Sequence, residues 1–554
     1  MKRHIDCLFI GHNEVPFEAY EKQVRLMGED SGAYRDLSKS VLYINSQAHS
    51  ITDVINLVSK EEIERLNVKP FNMLETQSNT IGYLGTFLQR RGKTFEYVNS
   101  FQDEKGKLKD ILTNCDVKSV GIITTLYVSV FPVLEIMEFI KKYNTSAKVI
   151  VGGPYVSTQV RTQDKSDCEY MFKTIGADVY VNSSQGEATL VKLIDAINNN
   201  TGFAKIKNIH YKEGDNYIIT PLEIEDNKLH ENTVKWEVFS DREFEHVAVR
   251  TAISCPYKCS FCGFPQHAGA YQTTEIEPII QELDLLAAMP SVKSVHFVDD
   301  TFNIPKERFK ELLRKMIDRK YKFKWHSYYR CQFSDDETLE LMKESGCEGV
   351  FLGIESGSNV ILKNMDKAAT SEQYRSGIGY LKKYGITTFG CFIIGFPGET
   401  RETINETIDF IETTGLDFYR IQQWYLEPIT PIWNQKEKYG IKGQSFEWEH
   451  DTMDSATACD IVDEIFLTVK NSIYLPQYNF DFDNFLHLLH RGKNVAQLKE
   501  FLKAFNMGIR DRIHNPGRKE ANSTVVNELY RSWNGTSDEK VLSYQEDVSA
   551  LFNF

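Results

Sequence analysis

Ile253-Ser-Cys-Pro-Tyr-Lys-Cys-Ser-Phe-Cys-Gly263 is the stretch on which the reading of this chain turns. It sets Cys255, Cys259 and Cys262 in the spacing C-x3-C-x2-C. Three thiolates this close can ligate three irons of a cubane 4Fe–4S cluster, because thiolates are the usual ligands of such clusters. Ligating all four irons takes another cysteine nearby, and none follows before Cys331. The fourth iron is then open to a small molecule, which makes the cluster a place for chemistry rather than a relay for electrons. A structural zinc site wants four ligands, and no second cysteine pair is present. The apolar run Val247-Ala-Val-Arg-Thr-Ala-Ile253 before the cysteines reads as a strand.

Strand and helix patterns then alternate from about 247 to 430. Strands are expected at 247–253, 294–298, 324–329, 349–354, 387–394 and 418–426, with helices at 275–288 and 306–319 among those between them. The cysteine run followed by six such units resembles the radical S-adenosylmethionine (SAM) superfamily, whose members fold as a partial six-stranded (β/α) barrel. That resemblance implies that the open iron takes the amino and carboxylate groups of SAM and that Phe261 lies near the adenine.

In barrels of this kind the chemistry gathers at the carboxyl ends of the strands. Asp299 and Asp300, in Val298-Asp-Asp-Thr-Phe302, are candidates for the amino group of SAM or for substrate; a helix cap is the alternative. Arg330 can pair with a carboxylate bidentately, or form a surface salt bridge. Glu355, in Gly353-Ile-Glu-Ser-Gly357, matches the family position that binds the ribose hydroxyls, with Ser356 beside it. Ile394, in Gly390-Cys-Phe-Ile-Ile-Gly-Phe-Pro-Gly-Glu-Thr400, matches the segment that packs the adenine in relatives. Gln422, Gln423 and Tyr425 alternate along the last strand, so one face of it can line the site.

Residues 1–200 also alternate short apolar strands with helices, the pattern of a parallel, doubly wound, Rossmann-like sheet. Ligands on such sheets sit at the carboxyl ends of the strands. Three strand ends stand out: Thr124-Thr125, Gly152-Gly153-Pro154 and Gln185-Gly186-Glu187. Glycine lets a backbone approach a bulky planar ligand closely, and ordinary βα turns are the competing reading. Their order, directly upstream of the cysteine run, resembles the cobalamin-binding domain of class B radical SAM enzymes. The D-x-H-x-x-G motif that supplies a histidine to cobalt is absent, so His12 is expected to be structural or substrate-facing, with no protein ligand below the cobalt. Residues 201–246 read as a linker containing a hairpin near 208–220, and 431–554 as a mainly helical extension that shapes the substrate pocket. Trp448 and His450 are candidates to face substrate, with plain packing as the alternative.

Composition bounds the rest. The 554 residues are 41% hydrophobic and 26% charged, with a net charge of −14. An acidic balance argues against a nucleic-acid substrate, which calls for a basic face. No stretch reaches the ~18 uncharged apolar residues of a membrane span. No signal peptide is evident, and scattered cysteines suit a reducing cytoplasm. The strings Asp6-Cys-Leu-Phe-Ile-Gly-His-Asn-Glu14 and Ser31-Gly-Ala-Tyr-Arg-Asp36 are similar to the cobalamin-dependent P-methyltransferases of phosphinothricin biosynthesis. The resemblance implies radical-mediated methylation of an unactivated carbon or a phosphinate phosphorus, with 4Fe–4S cluster, SAM and cobalamin as cofactors. It also implies a small-molecule or carrier-bound substrate and a low-potential electron donor of flavodoxin or ferredoxin type. The rival readings are a non-methylating cyclase or rearrangement enzyme and a tRNA methylthiotransferase. The latter would need three further cluster cysteines and a basic RNA module.

Overall fold

The computed structural model describes residues 2–67, 69–72, 78–240 and 242–535. Its first sheet is built on β1 (His4–His12), whose residues Ile5 to Gly11 are all buried. Further strands are β2 (Phe95–Ser100), β3 (Asp116–Ile123), β4 (Lys148–Gly152) and β5 (Val179–Val181). These five pair in parallel in the order β2-β1-β3-β4-β5. That is a doubly wound arrangement whose direction of winding switches between β1 and β3. The expected hairpin forms as β6 (Ile209–Glu213) and β7 (Asn216–Ile219), but it is not a free linker. It adds antiparallel to β5 and carries the sheet to seven strands. The reason is local: β5 is three residues long and leaves an edge that needs a partner.

The barrel sheet runs β8 (His246–Val249), β9 (Ser294–Phe297), β10 (Lys324–Tyr328), β11 (Cys347–Glu355), β12 (Thr387–Ile394), β13 (Phe418–Gln423) and β14 (Ile473–Tyr474). They pair in that order, all parallel. Six strands match the sequence expectation. The seventh, β14, comes from the C-terminal segment and is two residues long, too short to show a period. Helices cover the outside, and one of the most amphipathic, Lys306–Arg319, buries Phe309, Leu312, Leu313 and Met316 against the strands.

One part of 1–200 does not belong to the first sheet. Between β1 and the helix Asn79–Arg90 the chain leaves the sheet and forms helices Phe17–Arg25, Gly32–Ser38 and Ile51–Val58, with a hairpin at 41–50. This excursion packs on the C-terminal extension. Arg35 and Lys39 pair with Asp463 at 2.6 and 2.7 Å. Arg512 donates to the carbonyls of Ser38 and Val41, and the Ala521 amide donates to the Tyr43 carbonyl at 2.8 Å. In the extension, helices Ser455–Thr468, Phe482–His490, Val495–His514 and Ser523–Asn534 are joined by a small sheet at 442–454. No helix among the described residues is long and apolar enough to cross a membrane.

The connector at 230–240 is tied to the barrel by a buried carboxyl. Glu282, inside helix Ile276–Ala287, accepts from Trp236 Nε1 at 3.0 Å. Burial pushes its pKa up from 4.5 to about 7. The folded chain thus holds this proton to higher pH than the unfolded chain. The associated stability is complete below pH ~4.5 and is lost as pH rises through about 7, by about 3 kcal/mol. Glu282→Gln keeps the acceptor and should remove that loss. Urea unfolding at pH 5 and pH 8 checks this: the variant's advantage should be confined to pH 8.

Candidate active site

The cysteine loop is pinned at both ends. Ala252–Ile253 pairs antiparallel with Gln272–Thr273, closing the excursion that carries the three thiols. Asp299, at the end of β9, accepts from the Thr251 amide at 2.7 Å, from the Ala252 amide at 2.9 Å and from the Thr251 hydroxyl. Its carboxylate fastens the base of the loop, so Asp299 positions the loop. Neither aspartate caps a helix, since Pro305 starts helix 306–319. Asp300 keeps accessible surface. Its surface is open, yet it lies in a recess crowded by protein, and that desolvation, with the Asp299 charge adding, pushes its carboxyl up to about 7.

At the loop's centre, the Ser260 amide donates to Met365 O at 2.8 Å and its hydroxyl to Asn364 O at 3.0 Å. Gly263 is required by close approach: a Cβ there would lie 2.7 Å from Ile429 Cγ2. Cys255, Cys259 and Cys262 are free thiols, and Cys255 Sγ lies 3.8 Å from Thr301 Oγ1. Burial pushes the Cys259 thiol up and the Cys262 thiol to about 11. The charges of Lys367 and Arg330 act on Cys259 in the opposite sense. A metal binds thiolates and releases these protons, so two cations beside the loop suit an anionic cluster.

Arg330 is buried rather than on the surface. Its guanidinium stacks on Tyr257, inside the cysteine loop, at 3.5 Å and donates to the Lys367 carbonyl. Asn303 holds its backbone from both sides at 3.0 and 3.1 Å. Glu355 ends β11 with φ +69° and pairs with Lys367 Nζ at 2.8 Å. Lys367 also lies 5.3 Å from the Phe261 ring centroid. It joins Phe261, Glu355 and Cys259 in one cluster, and sequence reasoning missed it. It sits in a turn with no motif spacing to the cysteines.

Ser356 is fully buried; its hydroxyl lies 3.2 Å from Thr407 Oγ1 and accepts from the Ser358 amide at 3.1 Å. Its hydroxyl fastens the β11 turn to helix Arg401–Thr414. Ile394 has no accessible surface and its carbonyl accepts from the Trp424 amide at 2.7 Å, so it is core. Its neighbour Ile393, in register with Gln422, occupies the other face of the strand. Trp448 and His450 pack: Trp448 Nε1 donates to Trp424 O at 2.8 Å, and His450 Nε2 lies 2.9 Å from Gly395 O.

The first sheet presents its carboxyl edge to this loop. Thr158 Oγ1, one helix turn after Pro154, lies 3.3 Å from His267 Nε2, and Arg161 donates to Gln266 O. Tyr83 donates to the Arg250 carbonyl at 3.2 Å. At that edge the Thr124 amide and hydroxyl both donate to Gly152 O, at 3.0 and 2.9 Å. The Thr124 side chain therefore zips β3 to β4. Gly153 has φ +119°, and a Cβ there would lie 2.8 Å from Thr124 Oγ1. Thr125 is exposed, 3.3 Å from Thr80 Oγ1, and Leu126 and Val128 follow it at 65% and 85% exposure. Pro154 is exposed, and Gly186, at φ +87°, opens helix Glu187–Asn198. Glu187 accepts from Asn227 Nδ2 at 3.0 Å, and burial raises its carboxyl pKa. His12 ends β1 against Tyr127, ring centroids 5.6 Å apart, and burial lowers its pKa.

Residues 250–411 match the family model described as the radical SAM superfamily. An uncharacterised methyltransferase of Pyrococcus horikoshii is 27% identical over 331 residues, 58% of this chain and 70% of that one. An anaerobic magnesium-protoporphyrin IX monomethyl ester cyclase of Rubrivivax gelatinosus is 22% identical, covering 67% of each. Among solved structures, the radical SAM methyltransferase TsrM of Kitasatospora setae, with cobalamin and [4Fe-4S] cluster bound, superposes with a TM-score of 0.58 at 17% identity. That match covers 86% of this chain and 97% of TsrM. The cobalamin-dependent SAM radical enzyme OxsB with aqua-cobalamin also reaches 0.58, at 14% identity over 99% of this chain and 81% of OxsB. With its cysteine loop, barrel and second sheet so arranged, the chain carries a radical SAM domain in the fold of cobalamin-dependent radical SAM enzymes.

Proposed function

We propose that this chain is a cobalamin-dependent radical SAM methyltransferase. The observation that carries the reading is the contact between the two carboxyl edges, the 3.3 Å approach of Thr158 to His267, which sets the cysteine loop beside a glycine-rich sheet edge. The names of the Pyrococcus relative and of TsrM support it. The residues fit the groups required: three free thiols on one loop with two cations beside them, and an edge where Gly153 leaves no room for a side chain. Cys255, Cys259 and Cys262 would hold the cluster; Phe261, Asp300, Arg330, Glu355 and Lys367 would surround SAM. Thr125, Gly152, Gly153, Pro154, Gly186 and Glu187 would line the cobalamin edge. When bound, the cluster supplies an electron to SAM, and methylcobalamin supplies the methyl group.

The chain's own residues bind, orient and exclude water. Arg330 and Lys367 oppose the negative charge that three thiolates bring. Asp299 fixes the start of the loop, and Gly263 lets it lie against Ile429. The methyl acceptor is read as an unactivated carbon or a phosphinate phosphorus of a small-molecule or carrier-bound intermediate. The electron donor is of flavodoxin or ferredoxin type, and the compartment is the reducing cytoplasm. The test is anaerobic reconstitution with hydroxocobalamin and SAM under reduction. Methyl transfer yields S-adenosylhomocysteine beside 5′-deoxyadenosine. Deoxyadenosine alone, with product formed, would favour the non-methylating cyclase reading that the Rubrivivax match suggests.

Gly153→Val places a branched side chain at φ +119°, against Thr124. The strain costs about 1–3 kcal/mol, and the side chain stands on the cobalamin edge. Cobalamin retained after desalting should fall about tenfold while iron per chain is unchanged; absorbance and iron assay read the two separately.

A further inference from the structure

The amino-terminal end of the barrel is filled with imidazoles and carboxylates where close-packed aliphatic layers are the norm. His246 on β8, His296 on β9 and His326 on β10 occupy inward positions, His296 directly in register with His326. Helix Phe482–His490 closes this end and turns Asp483, His487 and His490 toward the strands, spaced i, i+4 and i+7 on one face. Asp483 lies between two of the strand histidines, Oδ2 3.0 Å from His296 Nδ1 and Oδ1 2.8 Å from His326 Nε2. The two rings stack with centroids 4.5 Å apart.

Pairing within the group is incomplete. His296 Nε2 is buried with no hydrogen-bond partner, and the 2.8 Å ion-pair approach of His326 Nε2 to Asp483 Oδ1 falls outside hydrogen-bond geometry. Buried polar atoms are normally paired, and here an unpartnered ring nitrogen sits beside an imidazole and a carboxylate that face one another. One donor atom from each residue lies within 4.8 Å of the other two. The surroundings orient the rings as ligands are oriented. His326 Nδ1 faces Ser294 Oγ at 3.4 Å and Glu348 Oε1 at 3.8 Å. Glu348 is itself held by Ser294 at 3.1 Å and by His490 Nε2 at 3.0 Å. A carboxylate behind the far nitrogen is the usual second layer of a histidine ligand. The Tyr328 ring, 39% exposed and 5.7 Å from His296, marks access from the barrel interior.

We propose that His296, His326 and Asp483 bind one divalent transition-metal ion, separate from the cysteine loop. Two imidazoles and one carboxylate suit zinc or ferrous iron and leave coordination positions open. Glu245, His246 and His487 form a neighbouring trio, but the Glu245 side chain is 42% exposed and already pairs with His487 and Arg491. The proposal involves none of the cofactor-site residues and stands or falls independently of the methyltransferase reading.

The experiment uses cluster-reconstituted full-length protein, equilibrated with zinc chloride, desalted and assayed for zinc and iron by mass spectrometry. Wild type should retain one zinc per chain. His296→Ala, His326→Ala and the near-isosteric Asp483→Asn should each lower retention tenfold or more at unchanged iron, and Glu245→Gln should not. Zinc should also raise the thermal midpoint of wild type and not of Asp483→Asn. Wild type that retains no more zinc than Asp483→Asn would overturn the site. So would zinc that survives in Asp483→Asn and disappears only when Cys255, Cys259 and Cys262 are replaced together.

Discussion

Cys259→Ala should strip the loop of iron. Of the three thiols Cys259 is the most deeply placed, and it is the one on which Lys367 and Arg330 both act. Losing it leaves two ligands for a cluster that has only three from this loop. Reconstituted iron is expected to fall from about four per chain to less than one. Reductive SAM cleavage should drop by more than about 1000-fold, equivalent to about 4 kcal/mol of barrier. Cys331→Ala is the control. Cys331 is buried beneath Gly377 and lies outside the loop, so its loss should leave iron and cleavage near wild type. Iron assay and 5′-deoxyadenosine formation measure the two effects, with circular dichroism confirming the fold. Full iron in Cys259→Ala would remove the loop from the cluster.

Lys367→Met should be the most destabilising single change near the site. The Lys367–Glu355 side chains are 10% and 11% exposed and 2.8 Å apart. Burial alone would lower the Lys367 pKa, but the charges of Glu355, Tyr374 and Cys259 together outweigh it and hold the ammonium above its ordinary value. Deleting the cation strands a buried carboxylate at a cost of about 3–5 kcal/mol. Glu355→Gln combined with Lys367→Met should recover most of that loss, because the two residues act as a pair. Urea unfolding of wild type, both single variants and the double variant tests it. Equal midpoints for wild type and Lys367→Met would show that the pair contributes nothing.

Strand–helix alternation was legible because parallel strands buried on both faces read as short apolar runs. The edges of the sheets were not: β14 is too short for a period, and hairpin β6–β7 carries no mark of the strand it joins. Strand ends mark a region, not the role of each atom in it. Asp299, Ser356 and Thr124 all sit where ligands gather, yet each turns its oxygen into neighbouring backbone or side chains. A single sequence cannot distinguish an oxygen that faces a cofactor from one that fastens a turn. Lys367 and the histidines of the barrel floor were invisible for another reason. They come together only across strands and from helix Phe482–His490, with no spacing between them to read.

The pairing of residues 17–60 with the C-terminal extension has a consequence for synthesis. Arg35 and its partner Asp463 are separated by 428 positions. At ribosomal speeds of about 5–20 residues per second, roughly 20–90 s pass between them. The five strands of the first sheet can dock long before that. Helix Ile51–Val58, with Ile51, Val54, Ile55 and Val58 on its apolar face, must wait for helix 523–534. The nascent chain therefore carries a finished sheet and an uncovered greasy flap through hundreds of residues of synthesis, a client for holding chaperones until helix 523–534 emerges.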